Sequence, residues 1–355
     1  MKLLKRPQPQ QVVETVPQED TRELLDTGGG VSFTMLLDKA HNIQSVCEDF
    51  VVPKVNNEIL RLNDLAGVTY ITKEGEVRSP SISRHAMGQL CNKIGVPHEY
   101  MRRCISSGRI ELAQDNMNSW LEGYDKNLLI REYNGSIRGV LSDRYAICDT
   151  PDILKVLSDT VDLNTYKVKG SFLNEERLHL RLVGKEMLPI DGEDLFPGIF
   201  IDSSDVGRNT LIVQFGIYKQ VCTNGLVIAR AGGTLFEQKH IGITVDELHS
   251  GLVKSLQNVD LLTENAVEWV RRAQHRDNHW SSASEYEDDI NEFVAYIKDK
   301  TKLSEESSRK VIDLMNTKYT DSRWGLINSI TEVAQDFTLE RRLELEKIAG
   351  GMLVA

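Results

Sequence analysis

The sequence predicts an α+β protein: a central antiparallel β-sheet with a packed helix, followed by a helical C-terminal region. Three observations predict it. Apolar and polar residues alternate with period two through much of 126–243. Apolar residues recur at helical spacing, with caps, through 244–355. Between an expected flexible tail at 1–31 and the β-rich stretch, residues 32–125 mix both signals.

The tail is rich in Pro, Gln and Glu and ends in "TGGG". In the mixed segment, "AGVTYITKEGEVRS" reads as a hairpin turning at Glu74-Gly75. Two short helices follow. Ser81 or Ser83 caps the first, Met87, Leu90 and Ile94 give it an apolar stripe, and Gly95 stops it. Pro97 opens the second. This helix-turn-helix spacing fits either a DNA-binding pair or a helical corner packed on a sheet.

The β-rich segment opens with "LLIREYNGSIRGVLSDRYAICDT", two strands around Asn134-Gly135. "SDRY" (Ser142 to Tyr145) interrupts the second strand, which suggests a bulge or strand end. "TPDILKVLSDTV" is a helix with Asp149 or Thr150 at its N-cap and Pro151 at N1. Its buried face is Ile153, Leu154, Leu157 and Val161. "TYKVKGSFL" and "RLHLRLVG" form a second hairpin. In it Leu178, Leu180 and Leu182 face one way; Arg177, His179 and Arg181 face the other. "NTLIVQFGIYKQVCTNGLVIA" adds strands around an Asn224-Gly225 turn. Four helices then fill 244–355. Ser304 starts the third, and Gly350-Gly351 is expected to end the last.

Composition narrows the function. The 355-residue chain carries a net charge of -11, so a strongly basic duplex-DNA binder is not supported. Most of the acidity lies in the C-terminal third, and the middle third is near neutral. The five cysteines are scattered without a C-x-x-C pair, which fits reduced thiols in the cytoplasm. No apolar run is long enough to cross a bilayer, and "MKLLKRPQPQQ" lacks the apolar stretch of a secretory signal. There is no P-loop, G-x-G-x-x-G or G-x-S-x-G, so no cofactor and no catalytic residue is assigned.

Three stretches together resemble a known family. They are Leu128 to Leu154, "KQVCTNGLVI" (Lys219 to Ile228) with "KHIG" after it, and "RWGLINSITEVAQDF" (Arg323 to Phe337) with "AGGML" near the end. The chain resembles, over 32–353, phage and plasmid proteins with a domain of unknown function (nine-three-two in the DUF series). The family's usual Asn-Ala-Ile/Val-Thr is here Asn328-Ser329-Ile330-Thr331. The resemblance implies a gene of phages or mobile elements and brings no activity. The order of hairpin, helix and further strands is also similar to single-strand annealing proteins of the RecT/Redβ class, an analogy of fold alone.

The candidate binding residues are basic. Arg131, Arg138, Arg144, Lys167, Lys169, Arg177, Arg181, Lys219, Arg230 and Lys239 fall in expected strands or at their ends. On one sheet face they would follow a phosphodiester backbone. The alternative is the solvated face of a half-buried sheet. Tyr145 and His240 complete the set. The expected partner is single-stranded DNA, bound by a homo-oligomer, with no membrane contact. A second reading is a metal-dependent nuclease using Asp191, Glu193, Asp194, Asp202 and Asp205. A third is a non-enzymatic protein that binds host factors. His275 and His279 fit a helix end better than a metal site, and Cys222 fits a small buried residue better than a nucleophile. No metal is assigned.

Overall fold

The computed structural model describes residues 31–63, 66–190, 192–219, 225–227, 234–275, 290–320 and 322–354. The chain is α+β, with three sheets and a helical C-terminal region. It begins with α1 (Phe33–Gln44), capped by Ser32, whose side chain accepts from the Met35 amide at 3.1 Å. Then come β1 (Cys47–Val55), β2 (Leu60–Leu62), β3 (Val68–Ile71), β4 (Val77–Arg78) and β5 (Ser81–Ile82). The helices α2 (Arg84–Ile94), α3 (His98–Ser106) and α4 (Ile110–Leu121) precede β6 (Lys126–Tyr133) and β7 (Ser136–Ser142). As the sequence indicates, Ser83 caps α2 and Gly95, at φ 76°, ends it.

One sheet has the order β1-β6-β7-β5, and β2-β3-β4 form a small meander. Both pack on α2, α3 and α4 around Leu60, Tyr70, Leu90, Met101, Met117, Ile130 and Val140. The helix pair is therefore a helical corner: α2 lies against β7 and α4 against β2. The hairpin at Asn134-Gly135 forms, with φ of 49° and 72°. Its core partners are all N-terminal, so the expected boundary at residue 126 does not separate two cores. The first core runs from Val52 to Val140.

The second lobe holds α5 (Thr150–Thr160), β8 (Tyr166–Leu173), β9 (Arg177–Gly184), β10 (Leu195–Ser204), β11 (Leu211–Lys219), β12 (Gly225–Val227) and β13 (Thr234–Gln238). Its sheet has the order β12-β11-β10-β9-β8, with β13 also on β11. The expected single central sheet is thus divided, and the hairpin and the later strands belong to different sheets. Six helices follow: α6 (Val245–Leu256), α7 (Val259–Gln274), α8 (Ile290–Thr301), α9 (Glu305–Thr317), α10 (Arg323–Val333) and α11 (Leu339–Val354). Leu178, Leu180 and Leu182 share one large core with α5, α6, α7 and the later helices. α1 joins that core through Leu36 and Ala40, against α5 and β8. A partition in chain order misses this return. α11 continues through Gly350 and Gly351 to Val354, contrary to the expected stop. Burial of Ala349 and Leu353 outweighs a penalty of about 1 kcal/mol per helical glycine.

Candidate functional site

Two clusters of charged side chains emerge, one buried and one partly open. The buried cluster joins the lobes. Arg131 sits in β6 on the side opposite Leu128 and Ile130, and its side chain is only 1% exposed. Asp149 grips it with two bonds of 2.7 Å. Asp49 of β1 adds bonds at 2.8 and 2.9 Å, and the Asp205 carbonyl accepts at 2.5 Å. Burial works against the Arg131 charge, but Asp149 and Asp49 outweigh it and raise its pKa.

Arg138 points the same way for a local reason. The register slips between Arg131 and Glu132, so that Arg138 is an extra residue in β7. Its Nη1 bonds the Glu175 carbonyl and lies 3.7 Å from Asp205 Oδ2. Asp205 Oδ1 accepts from the Thr150 amide and hydroxyl at 3.1 and 3.0 Å. Burial, with Asp149 beside it, pushes the Asp205 carboxyl up to about 7. A crevice between α1, β7, β8 and the start of α5 borders this cluster, lined by Gln44, Cys47, Arg138, Thr150, Asn174 and Asp205.

"SDRY" stands at the edge of the same joint. It is a turn closed by Tyr145 N–H to the Ser142 carbonyl at 3.0 Å. Asp143 accepts from the Asn127 amide at 2.9 Å. Tyr145 is buried, stacks on His240 with ring centroids 5.1 Å apart, and donates to the Ser204 carbonyl at 3.0 Å. Arg144 and Lys239 stay exposed, brought together by the bridge between Tyr145 and Ile241. Burial lowers the His240 pKa. Cys148 Sγ lies 3.5 Å from His249 Nε2, but burial, followed by nearby aspartates, pushes its thiol up to about 12, which is no nucleophile at neutral pH.

The partly open cluster is the face of the six-stranded sheet opposite Leu180. Lys167 Nζ lies over the Phe196 ring at 5.6 Å and Lys169 Nζ over Tyr218 at 5.5 Å. The Arg177 guanidinium lies over Phe172 at 4.8 Å. A bulge between Val168 and Gly170 keeps Lys169 on this side while returning Phe172 to it. Deeper on the same face, Arg181 lies 5.5 Å from the Phe200 ring centre. His179 Nδ1 meets Asp202 Oδ1 at 2.8 Å. Burial alone would raise the Asp202 carboxyl, but His179, Arg181 and Arg177 hold it below its ordinary value.

Several sequence expectations need correction here. Arg131, Arg138, Arg181 and His240 are buried, because acidic or carbonyl partners from other elements close over them. Lys219 is half-buried: it bonds Glu193 at 2.7 Å and lies near Tyr319 and Trp324. Arg144, Lys167, Lys169, Arg177 and Lys239 keep some exposure. Arg230, Cys222, Asp191 and His279 lie outside the described residues. The acidic group does not converge: Asp202 pairs with His179, Asp205 with Thr150, and Glu193 with Lys219 and Trp324. Among the described residues no three His, Cys, Asp or Glu side chains are placed to hold a metal ion, and no helix is long and apolar enough to cross a membrane. Asp49 and Glu346, both central to these clusters, carry no local sequence signal. An arginine inside the apolar run "LLIREY" is the one hint that a buried counter-ion must exist.

Two antiparallel sheets clasped by a buried ion-pair cluster, one of them backed by helices and edged with cations on aromatic rings, define the class of protein. The chain belongs to the family described as Domain of unknown function (DUF932), whose model matches residues 138–348. That match starts inside β7 and takes in the second lobe with its helices. Neither a curated protein nor a solved structure matches the chain.

Proposed function

We propose that this protein binds single-stranded nucleic acid, single-stranded DNA in the first place, through β8 and the start of β9. One observation carries the reading. Lys167, Lys169 and Arg177 stand in a row at the open side of a sheet, each over an aromatic ring. Cations that follow a backbone beside aromatic platforms are what sequence-tolerant strand binding uses. Arg144 and Lys239 supply a second exposed basic pair. The overall negative charge disfavours broad duplex binding, so a narrow lane suits a single strand better.

In this reading the protein is the product of a phage or other mobile element and acts in recombination or replication, with annealing as the leading role. It works in the bacterial cytoplasm, where Cys47, Cys91, Cys104 and Cys148 stay as free thiols, and it self-assembles along the strand.

The test is a mobility-shift titration with labelled oligothymidylate at low salt, comparing the wild type with a variant in which Lys167, Lys169 and Arg177 are all alanine. The wild type shifts the strand at micromolar protein. The variant binds at least about tenfold more weakly, and its salt dependence flattens by about 0.7 in log-log slope per lost phosphate contact. Circular dichroism checks that the variant is folded. No shift by the wild type, or equal binding by a folded variant, ends the proposal.

A further inference from the structure

We propose that α11 is a built-in cover for the deeper half of this sheet face, with the Glu346 carboxylate held where a phosphate of the bound strand would sit. The inference rests on the reading of the face as a nucleic-acid lane and adds its regulation. Arg181 lies on β9, an interior strand flanked by β8 and β10, so its guanidinium is reached only from the face it projects from. Glu346 reaches it there: Arg181 Nη2 to Glu346 Oε2 is 2.5 Å, and the two residues are 4% and 0% exposed. Arg342 Nε closes on the other carboxylate oxygen at 2.9 Å. A carboxylate and a phosphate offer an arginine the same pair of acceptor oxygens.

What lies beneath α11 argues that the cover is not a finished core. On the face that carries Arg181, three buried groups have no hydrogen-bond partner: Arg181 Nε, His179 Nε2 and Gln214 Nε2. Buried polar groups in a settled interior are nearly always paired. These three come from β9 and β11, on either side of Phe200, whose neighbours across the register are Arg181 and Gln214. The Phe200 ring lies flat on the sheet, over the bare backbone of Gly198 and Gly216. A Cβ at Gly216 would fall 1.6 Å from a ring carbon. The floor is thus an aromatic plate bordered by unpaired donors, the arrangement that holds a stacked base and its phosphate.

The lid itself is replaceable. Leu345, Ala349 and Leu353 anchor α11 in the core, while Gly350 and Gly351 lie within its last turns and weaken the helix. A strand that binds first to Lys167, Lys169 and Arg177 is adjacent to Arg181. Displacing Glu346 gives its next phosphate a buried guanidinium and gives its base the Phe200 plate.

Two measurements on the full chain test this. Hydrogen exchange across residues 339–354 is followed with and without oligothymidylate, and strand affinity is compared between the wild type and Glu346→Gln. The cover predicts that α11 amides lose protection when the strand binds. It also predicts that Glu346→Gln binds about tenfold more tightly, since Arg181 no longer has a charged competitor. If the wild type binds while α11 protection is unchanged and Glu346→Gln has wild-type affinity, the cover is wrong and the open lane stands. If neither protein binds, both fail. Should Glu346→Gln not fold, exchange in the wild type alone decides.

Discussion

Arg131 and Asp149 meet in a two-bond pair, Nη1 to Oδ1 and Nη2 to Oδ2, each 2.7 Å long. The pair ties a strand of the first lobe to the helix start that opens the second. Asp149 is also the N-cap of α5, its side chain accepting from the N3 backbone while Asp152 bonds back to the Asp149 amide at 3.0 Å. One carboxylate therefore fixes both where α5 begins and where the lobes join.

Removing Arg131 is expected to be severe. Arg131→Met leaves Asp49 and Asp149 without their buried cation, and the cost is about 3–5 kcal/mol. Urea unfolding measures it. Lys155→Met provides the contrast, because the Lys155–Asp159 pair on α5 is solvent-exposed and such a change stays within about 0.5 kcal/mol. Similar losses for the two variants would show that the Arg131 cluster does not hold the joint.

Asp205 makes stability depend on pH in a stated direction. Its folded pKa is raised from 3.8 to about 7, so the folded state keeps a proton that the unfolded state has lost. Between those two values the unfolded chain binds fewer protons, and stability falls as pH rises. Above about 7 both states have lost the proton and the loss is complete. His240, whose pKa is lowered by burial, acts the other way near its ordinary 6.5, favouring the fold as pH rises. The difference between the wild type and Asp205→Asn isolates the carboxyl. The variant's advantage in urea midpoint is expected to grow from pH 5 to pH 8. A constant difference would show that Asp205 ionises normally.

The limits of the sequence follow from the same residues. Local signals were sufficient wherever the chain decides its own geometry: the Asn134-Gly135 turn, the Ser83 and Ser304 caps, and the α5 start at Asp149. Period-two alternation placed Leu178, Leu180 and Leu182 in the core. It could not show that Arg181, on the opposite face, is closed over by Glu346 from 165 positions later in the chain. Nor could it show that a bulge turns Arg138 to the same side as Gly139, since a bulge shifts the register without changing composition. The buried cluster draws Asp49, Arg131, Asp149 and Asp205 from four separate elements, and none of the four stretches is unusual by itself.

The Phe200 plate yields a packing prediction. Gly216→Ala drives a methyl into the ring, and overpacking of this kind costs about 1–3 kcal/mol. Phe200→Leu removes the obstacle and loses aromatic burial of its own. The double variant is then expected to be less destabilised than the sum of the singles, a coupling readable in a urea double-mutant cycle. Strict additivity would mean that Gly216 is required for its backbone conformation alone.

Arg144 and Tyr145 separate stability from binding within two adjacent residues. Arg144 is exposed, and its backbone N–H, not its side chain, bonds the Ser142 hydroxyl at 3.2 Å. Arg144→Ala should leave the urea midpoint within about 0.5 kcal/mol of wild type. It should weaken oligothymidylate binding and lower the salt slope by about 0.7, the signature of one lost phosphate contact. Tyr145 is buried, and its hydroxyl donates to the Ser204 carbonyl at 3.0 Å. Tyr145→Phe strands that acceptor, so stability falls by about 1 kcal/mol while strand affinity is unchanged. The reverse pattern, with Arg144→Ala destabilising and Tyr145→Phe releasing the strand, would make the arginine a structural residue and move the contact to the tyrosine.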